Sequence, residues 1–347
     1  MSNVAILESC NYKCKYCFAE EFTEHGNNKL MSLEDFKRVT DFLLQTSDGV
    51  GLIGGEPTLH PEFDKIVEYL IKREGIKYVT VFTNGSSLME HLNVLASSKV
   101  GILLNYNSPK ELMRQFGEEL GKVRFESARE QIIKFNKLCP DKMTIGVNIF
   151  DTNTDWSHIV DIFQNIENKK ERVLRVSTVA PNINSDKKLN LVYYNEMAES
   201  LLTLLETAKD LVDRITFDCS KIPVCVMEQY KERFEGLLAF YETKGGTDYH
   251  KRYGCEPVLD VTVDLQVIRC FAMSRLAKVN MFDYKDMMEI YKYFKHGIDG
   301  ICYNMQINFL CNDCKLSTNK QCNGGCLSFT TEKALAVKSF IERLNGC

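Results

Sequence analysis

The sequence predicts an α/β fold, a partial barrel of βα units followed by a cysteine-rich C-terminal domain. Two observations lead there. Short β-branched or aliphatic runs alternate with helical patterns through the first half of the chain, and the 14 cysteines among 347 residues fall in two clusters, one near each end. At about 100–200 residues per domain, the length predicts roughly two domains. A hydrophobic share of 44% and a near balance of 43 Lys and Arg against 47 Asp and Glu fit a globular chain and give no electrostatic footprint for nucleic acid. No apolar run nears the 18 or so residues of a membrane span, and the first residues lack the charged and apolar regions of a signal peptide. The expectation is a cytoplasmic protein without a membrane partner.

Six strands are predicted, over 4–7, 50–53, 78–82, 101–105, 144–150 and 173–178. Several are near-continuous apolar runs, as in a sheet covered on both faces. Six βα units predict a partial barrel, (β/α)6, rather than a closed eightfold one. Ser32-Leu33-Glu34-Asp35 resembles a capping box, with Phe36, Val39, Phe42 and Leu43 following on one face. Pro61 opens a second helix with Phe63, Ile66, Val67 and Leu70 inward. Residues 109–138 read as one or two helices and 156–166 as another. Beyond Pro181, stretches 189–211 and 227–241 are helical in period and neither is followed by a clear strand, so 186–250 reads as a bridge between a barrel of 1–185 and a cysteine-rich region of 251–347.

Cysteine in a chain without an export signal points to metal rather than to disulfides. Cys10, Cys14 and Cys17 have the spacing C-x3-C-x2-C at the end of the first predicted strand. An iron–sulfur cube takes four thiolates, so a loop of three leaves one iron for another ligand; a zinc ion completed from elsewhere, or free thiols, is the alternative. Gly54-Gly55-Glu56-Pro57 follows the second strand. Its glycines would let backbone approach a ligand closely, and its carboxylate or exposed carbonyls could hold an amine; read alone, it is also an ordinary turn.

Together the two motifs resemble the radical S-adenosylmethionine (radical SAM) superfamily over about the first half of the chain. The resemblance implies the partial barrel, a [4Fe–4S] cluster on Cys10, Cys14 and Cys17, and SAM chelating the fourth iron. One electron then cleaves SAM to methionine and a 5′-deoxyadenosyl radical that abstracts hydrogen from substrate. It further implies that Gly54, Gly55, Glu56 and Pro57 contact the methionine amine, that Tyr16 packs near adenine, and that Thr83 and Asn84, with Gly85, face SAM. Asn148 and Arg175 point by strand order to the same end of the barrel, where a structural role is equally open.

The tail resembles the SPASM extension of these enzymes, which carries auxiliary [4Fe–4S] clusters. That pattern implies one cluster on Cys255, Cys270 and Cys326 and another on Cys311, Cys314, Cys322 and Cys347. The usual glycine five residues before the second tail cysteine is Leu265 here, and the third gap is seven residues rather than five. The first set lacks a fourth cysteine: either its site is open, the reading preferred, or Cys302, Cys219 or Cys225 closes it. A zinc-bearing tail is the alternative. Cys219 and Cys225 are also candidate hydrogen donors to a substrate radical, and Cys139 reads as a small buried hydrophobe.

Enzymes with a full SPASM tail mostly modify ribosomally made peptides or proteins, so a thioether or carbon crosslink, or a related oxidation, is the expected reaction. Phe271 stands where the formylglycine-forming branch has a carboxylate. The first strand begins at Val4, which leaves no room for a leader-binding domain ahead of it, so a leader is expected to be held by a separate leader-binding protein or by the barrel and tail. A flavodoxin- or ferredoxin-type electron donor is a further expected partner. A dehydrogenase of a small molecule such as a sugar or cyclitol, and a non-catalytic iron–sulfur electron carrier, are the alternatives. His60, His158 and His250 are isolated and read as satisfied residues. The aromatic and basic stretch 284–296 could face a peptide or be a surface helix, and no catalytic acid or base is assigned.

Overall fold

A computed structural model describes residues 2–23, 28–150, 155–168, 170–179, 191–218, 222–249, 255–303, 305, 311, 313–319, 322, 325–330 and 333–336. Its parallel strands β1 (Ser2–Leu7), β2 (Gly49–Gly54), β3 (Tyr78–Thr83), β4 (Val100–Asn105), β5 (Met143–Ile149) and β6 (Val173–Thr178) lie side by side in chain order. A seventh, β7 (Arg214–Phe217), pairs in parallel with β6, where the sequence predicted no strand. It escaped because four residues with only Ile215 fully buried carry no readable alternation. At the other edge β8 (Asp260–Val261) runs parallel to β1, and β9 (Gln266–Ile268) and β10 (Lys278–Asn280) add antiparallel. The tail therefore continues the barrel sheet.

The helices between strands are α1 (Glu20–Thr23), α2 (Leu33–Leu43), α3 (Phe63–Lys72), α4 (Leu92–Leu95), α5 (Pro109–Phe116), α6 (Glu118–Leu138), α7 (Ser157–Asn165) and α8 (Leu191–Ala208). Then come α9 (Val224–Met227), α10 (Lys231–Glu242), α11 (Met287–Lys292), α12 (Asp299–Tyr303) and α13 (Lys315–Thr318). Ser32 caps α2: its Oγ accepts from the Asp35 amide at 3.0 Å and donates to the Asp35 carboxylate at 2.9 Å. Phe36, Val39, Phe42 and Leu43 are buried, as the pattern predicts. Gly117, at φ +81°, separates α5 from α6.

Continuous apolar burial holds for β1 and β2 but not further on. In β3 to β6, Val79, Val81, Ile102, Leu104, Ile145, Val147, Leu174 and Val176 are buried, while Phe82, Leu103, Asn105, Asn148, Arg175 and Ser177 between them are only half-buried. Period-two alternation places these two sets on opposite faces, so the barrel interior is a half-open, largely polar face. Among the described residues, no helix is long and apolar enough to cross a membrane.

Candidate functional site

The loops after β1, β2 and β3 are tied into one body. The Gly55 amide donates to the Leu7 carbonyl at 2.8 Å and the Glu56 amide to the Ser9 carbonyl at 2.9 Å. Gly54 sits at φ +153°, and a Cβ at Gly54 or Gly55 would collide with those same carbonyl oxygens. The glycines thus let backbone approach the backbone leading into Cys10, where the sequence suggested approach to a ligand.

Glu56, 1% exposed, accepts from Thr58 Oγ1 at 2.6 Å, Thr83 Oγ1 at 2.7 Å and the Asn84 amide at 2.7 Å. Burial raises its pKa, opposed by these hydrogen bonds. Of the two amine-binding groups the motif offered, the carboxylate is engaged with protein donors and the loop carbonyls are the other. Pro57 opens the single helical turn Pro57–Leu59. Asn84 Nδ2 donates to Asn11 Oδ1 at 2.8 Å, and Asn11 Nδ2 to Ser86 Oγ at 2.9 Å. The residue after Cys10 is thereby joined to the loop after β3.

Cys10, Cys14 and Cys17 are half-buried on one loop, whose turn is closed by the Cys17 amide on the Cys14 carbonyl at 3.0 Å. Burial pushes each thiol up to about 12, and repulsion from a neighbouring cysteine of the same loop adds to it in all three. Three desolvated thiols in mutual reach favour their ionised form only when a cationic metal group compensates them.

A wall that sequence reasoning missed supports this loop. The Lys13 amide donates to Gln115 Oε1 at 2.7 Å and the Lys15 amide to Glu111 Oε1 at 3.1 Å, so one face of α5 braces the cysteines. The Tyr16 hydroxyl donates to Asn107 Oδ1, and its ring lies 4.6 Å from that of Phe150. Burial raises the Tyr16 pKa well above its ordinary value. On the barrel interior, Ser177 Oγ donates to Asn148 Oδ1, and Arg175 pairs with Asp218 over the Phe82 ring. Asp218 carried no signal in sequence.

In the tail, the guanidinium of Arg269, 1% exposed, donates to the Cys255 carbonyl at 3.1 Å and reaches Cys255 Sγ at 3.4 Å and Cys270 Sγ at 3.8 Å. It also pairs with Asp299. A hydrogen bond from Cys326 is the largest cause holding the Cys255 thiol below its ordinary range, while burial pushes Cys270 up to about 12. Cys255, Cys270 and Cys326 are therefore together. Cys225 is exposed and has Cys322, Cys311 and Cys314 as neighbours, so it stands beside the second tail set. Cys219, Cys347 and His250 lie outside the described residues.

Of the isolated histidines, His60 and His158 are satisfied, as read. His60 sits between the Met31 carbonyl and the Glu62 amide, each at 3.0 Å, and His158 packs between Tyr106 and Trp156. In the stretch 284–296, Tyr291 and Lys295 bind the Glu256 carboxylate at 2.6 and 2.7 Å, bracing the residue after Cys255.

Residues 4–164 match the radical SAM superfamily, so this part of the chain belongs to that superfamily, and a cysteine-rich C-terminal region follows it. Membership implies SAM and a [4Fe–4S] cluster. An S-adenosylmethionine-dependent nucleotide dehydratase of Selenomonas ruminantium is 28% identical over 197 residues, 55% of this chain and 60% of that protein. A protein of the same name from Fibrobacter sp. (strain UWH6) is 25% identical over 326 residues, 90% of this chain and 93% of that one. Streptococcus suis SuiB bound to S-adenosylmethionine superposes with a TM-score of 0.61 at 18% identity, covering 93% of this chain and 72% of SuiB. For anSMEcpe with bound AdoMet and the Cp18Cys peptide, the TM-score is 0.60 at 19% identity, over 99% of this chain and 97% of that one. These two similarities concern the fold.

Proposed function

We propose that this enzyme oxidatively modifies a ribosomally made peptide or protein in the cytoplasm, by a thioether or carbon crosslink or a related reaction. The observation that carries this reading is the second thiol set: Cys255 and Cys270 lie against Arg269 and Cys326 bonds Cys255, beside strands β8 and β9, which extend the sheet whose strand β1 leads into Cys10. An oxidative product requires two electrons to leave the substrate. Hydrogen-atom abstraction removes one, and an iron–sulfur group on the tail thiols is suited to accept the other.

When bound on Cys10, Cys14 and Cys17, the cluster supplies the electron that releases the adenosyl radical from SAM in this superfamily. The protein's part is positioning and exclusion of water. Carbonyls of the 54–57 loop hold the SAM amine, Tyr16 and Phe150 flank the adenine side, and Thr83 and Asn84 fix the loop through Glu56. Asn148 and Arg175 line the wall that substrate meets. SuiB bound to precursor peptide SuiA and anSMEcpe bound to a peptide support a peptide in this place. A flavodoxin- or ferredoxin-type donor would reduce the barrel cluster, and a separate protein, or the barrel and tail themselves, would hold a leader.

The Fibrobacter relative, aligned over 90% of this chain, favours a second reading, dehydration of a nucleotide. Phosphates call for available cations; Arg175, Arg114 and Arg269 are matched by Asp218, Glu111 and Asp299, while Arg124, on the Asn11 carbonyl beside the cysteine loop, keeps a buried Nε without a hydrogen-bond partner among the described residues. The anaerobically reconstituted enzyme, with SAM and dithionite, should remove two hydrogens from a short peptide encoded beside its gene, read by mass spectrometry. Loss of water from a nucleoside triphosphate, with the peptide untouched, would transfer the assignment to the second reading.

A further inference from the structure

The structure brings a fourth thiol to the first tail set. We propose that Cys302 completes it, so that Cys255, Cys270, Cys302 and Cys326 together hold one iron–sulfur group with no iron left open to substrate. The inference rests on the auxiliary-cluster part of the function proposed above.

Cys302 is 1% exposed and packs in the same buried cluster as Cys255, with Cys270 at its edge and Met273, Leu276 and Leu327 around them. Burial alone would suit an inert cysteine. What distinguishes Cys302 is the face it shares. It lies on α12 three residues after Asp299, so the two side chains project from one side of the helix. The Asp299 carboxylate holds the Arg269 guanidinium, with Nη2 to Oδ2 at 2.9 Å, and that same guanidinium reaches the sulfurs of Cys255 and Cys270. The face of α12 that carries Cys302 is therefore turned toward those two thiols.

The remaining thiol arrives from the opposite side. Cys326 precedes the helical turn Leu327–Thr330, its amide donates to Tyr194 Oη at 3.2 Å, and its thiol hydrogen-bonds Cys255. Thr330, at the end of that turn, hydrogen-bonds the Cys302 thiol. The Leu327 amide at the start of the same turn bonds the Cys255 thiol, so one turn contacts both cysteines. Cys225 does not compete for this place, because its neighbours are the thiols of the second set. Met273, Leu276 and Leu327 pack around the set on its apolar side. A set closed in this way relays electrons, and substrate contacts fall to the barrel.

The test uses full-length protein with Cys14→Ala, which removes the barrel cluster and leaves only tail iron to be counted. Iron, sulfide and the EPR spectrum of the reduced protein are compared for this background, for the background with Cys302→Ala, and for the background with Met273→Ala, which disturbs the same packing without removing a thiol. Cys302→Ala should either lose about four irons per chain or keep them with a spectrum that now shifts when imidazole is added. Met273→Ala should retain both iron and spectrum. Wild-type iron content and an imidazole-insensitive spectrum in Cys302→Ala would overturn the inference, as would equal iron loss in Met273→Ala. A background that binds no tail iron at all would instead refute the auxiliary-cluster reading on which the inference stands.

Discussion

Glu56 shows how one buried carboxylate can organise a site it does not chemically enter. Its two oxygens take donors from its own loop and from the loop after β3, while its amide anchors to Ser9 beside the cysteine loop. Removing it leaves the Asn84 amide and two threonine hydroxyls without their buried acceptor, a loss of about 1–3 kcal/mol for an unsatisfied group. Glu56→Ala should therefore lower stability by about 2–3 kcal/mol in anaerobic denaturant titrations and weaken SAM binding severalfold in equilibrium dialysis, with iron on Cys10, Cys14 and Cys17 retained. Glu56→Gln, which keeps one acceptor oxygen, should lie between. Loss of the iron together with SAM binding would mean that Glu56 supports the cysteine loop itself rather than the loops that surround SAM.

At the scale of elements, the hairpin between β8 and β9 carries an unusual strain. Leu265 sits at φ +62°, in the left-handed region that favours glycine, and it is the position where related tails have glycine. The side chain is kept because it packs, half-buried, against the main core. Leu265→Ala loses that packing and retains the strain, whereas Leu265→Gly loses the packing and relieves it. Since the left-handed conformation costs an ordinary residue about 1–2 kcal/mol, the glycine variant should be the more stable of the two by about 1 kcal/mol, the reverse of the order in a regular strand. Equal midpoints for the two variants in denaturant would show the backbone to be unstrained there. The element scale is also where the sequence was most legible. The six strands, the Ser32 cap and the helical character of 109–138 follow from local period and turn chemistry, and the thiol spacing in 10–17 is covalent. Asn107, Glu111 and Gln115, which hold that loop, stand as many as 102 positions away in sequence, and no local pattern announces a contact made by folding. β7 was hidden for the opposite reason, being too short to show a period.

At the scale of the whole molecule, tail and barrel meet where β8 joins β1, and one titratable group sits on that seam. Asp260 is fully buried, accepts from Asn3 Nδ2 at 2.8 Å, and has its carboxyl pushed up to about 7 by burial, with the Asp218 charge adding to the shift. The unfolded carboxyl ionises near 4. Between these values the unfolded chain has released a proton that the folded chain still holds, so this group's contribution is complete below about pH 4 and is lost as pH rises toward 7, at up to about 1.4 kcal/mol per pH unit. Asp260→Asn keeps the shape and removes the titration. Its stability relative to wild type should therefore rise from pH 5 to pH 8, measured as the difference in anaerobic denaturation midpoints at each pH. A difference that stays constant between these pH values would mean that Asp260 ionises normally at the seam, with its charge compensated there, and that joining the tail to the barrel sheet carries no burial penalty for this carboxylate.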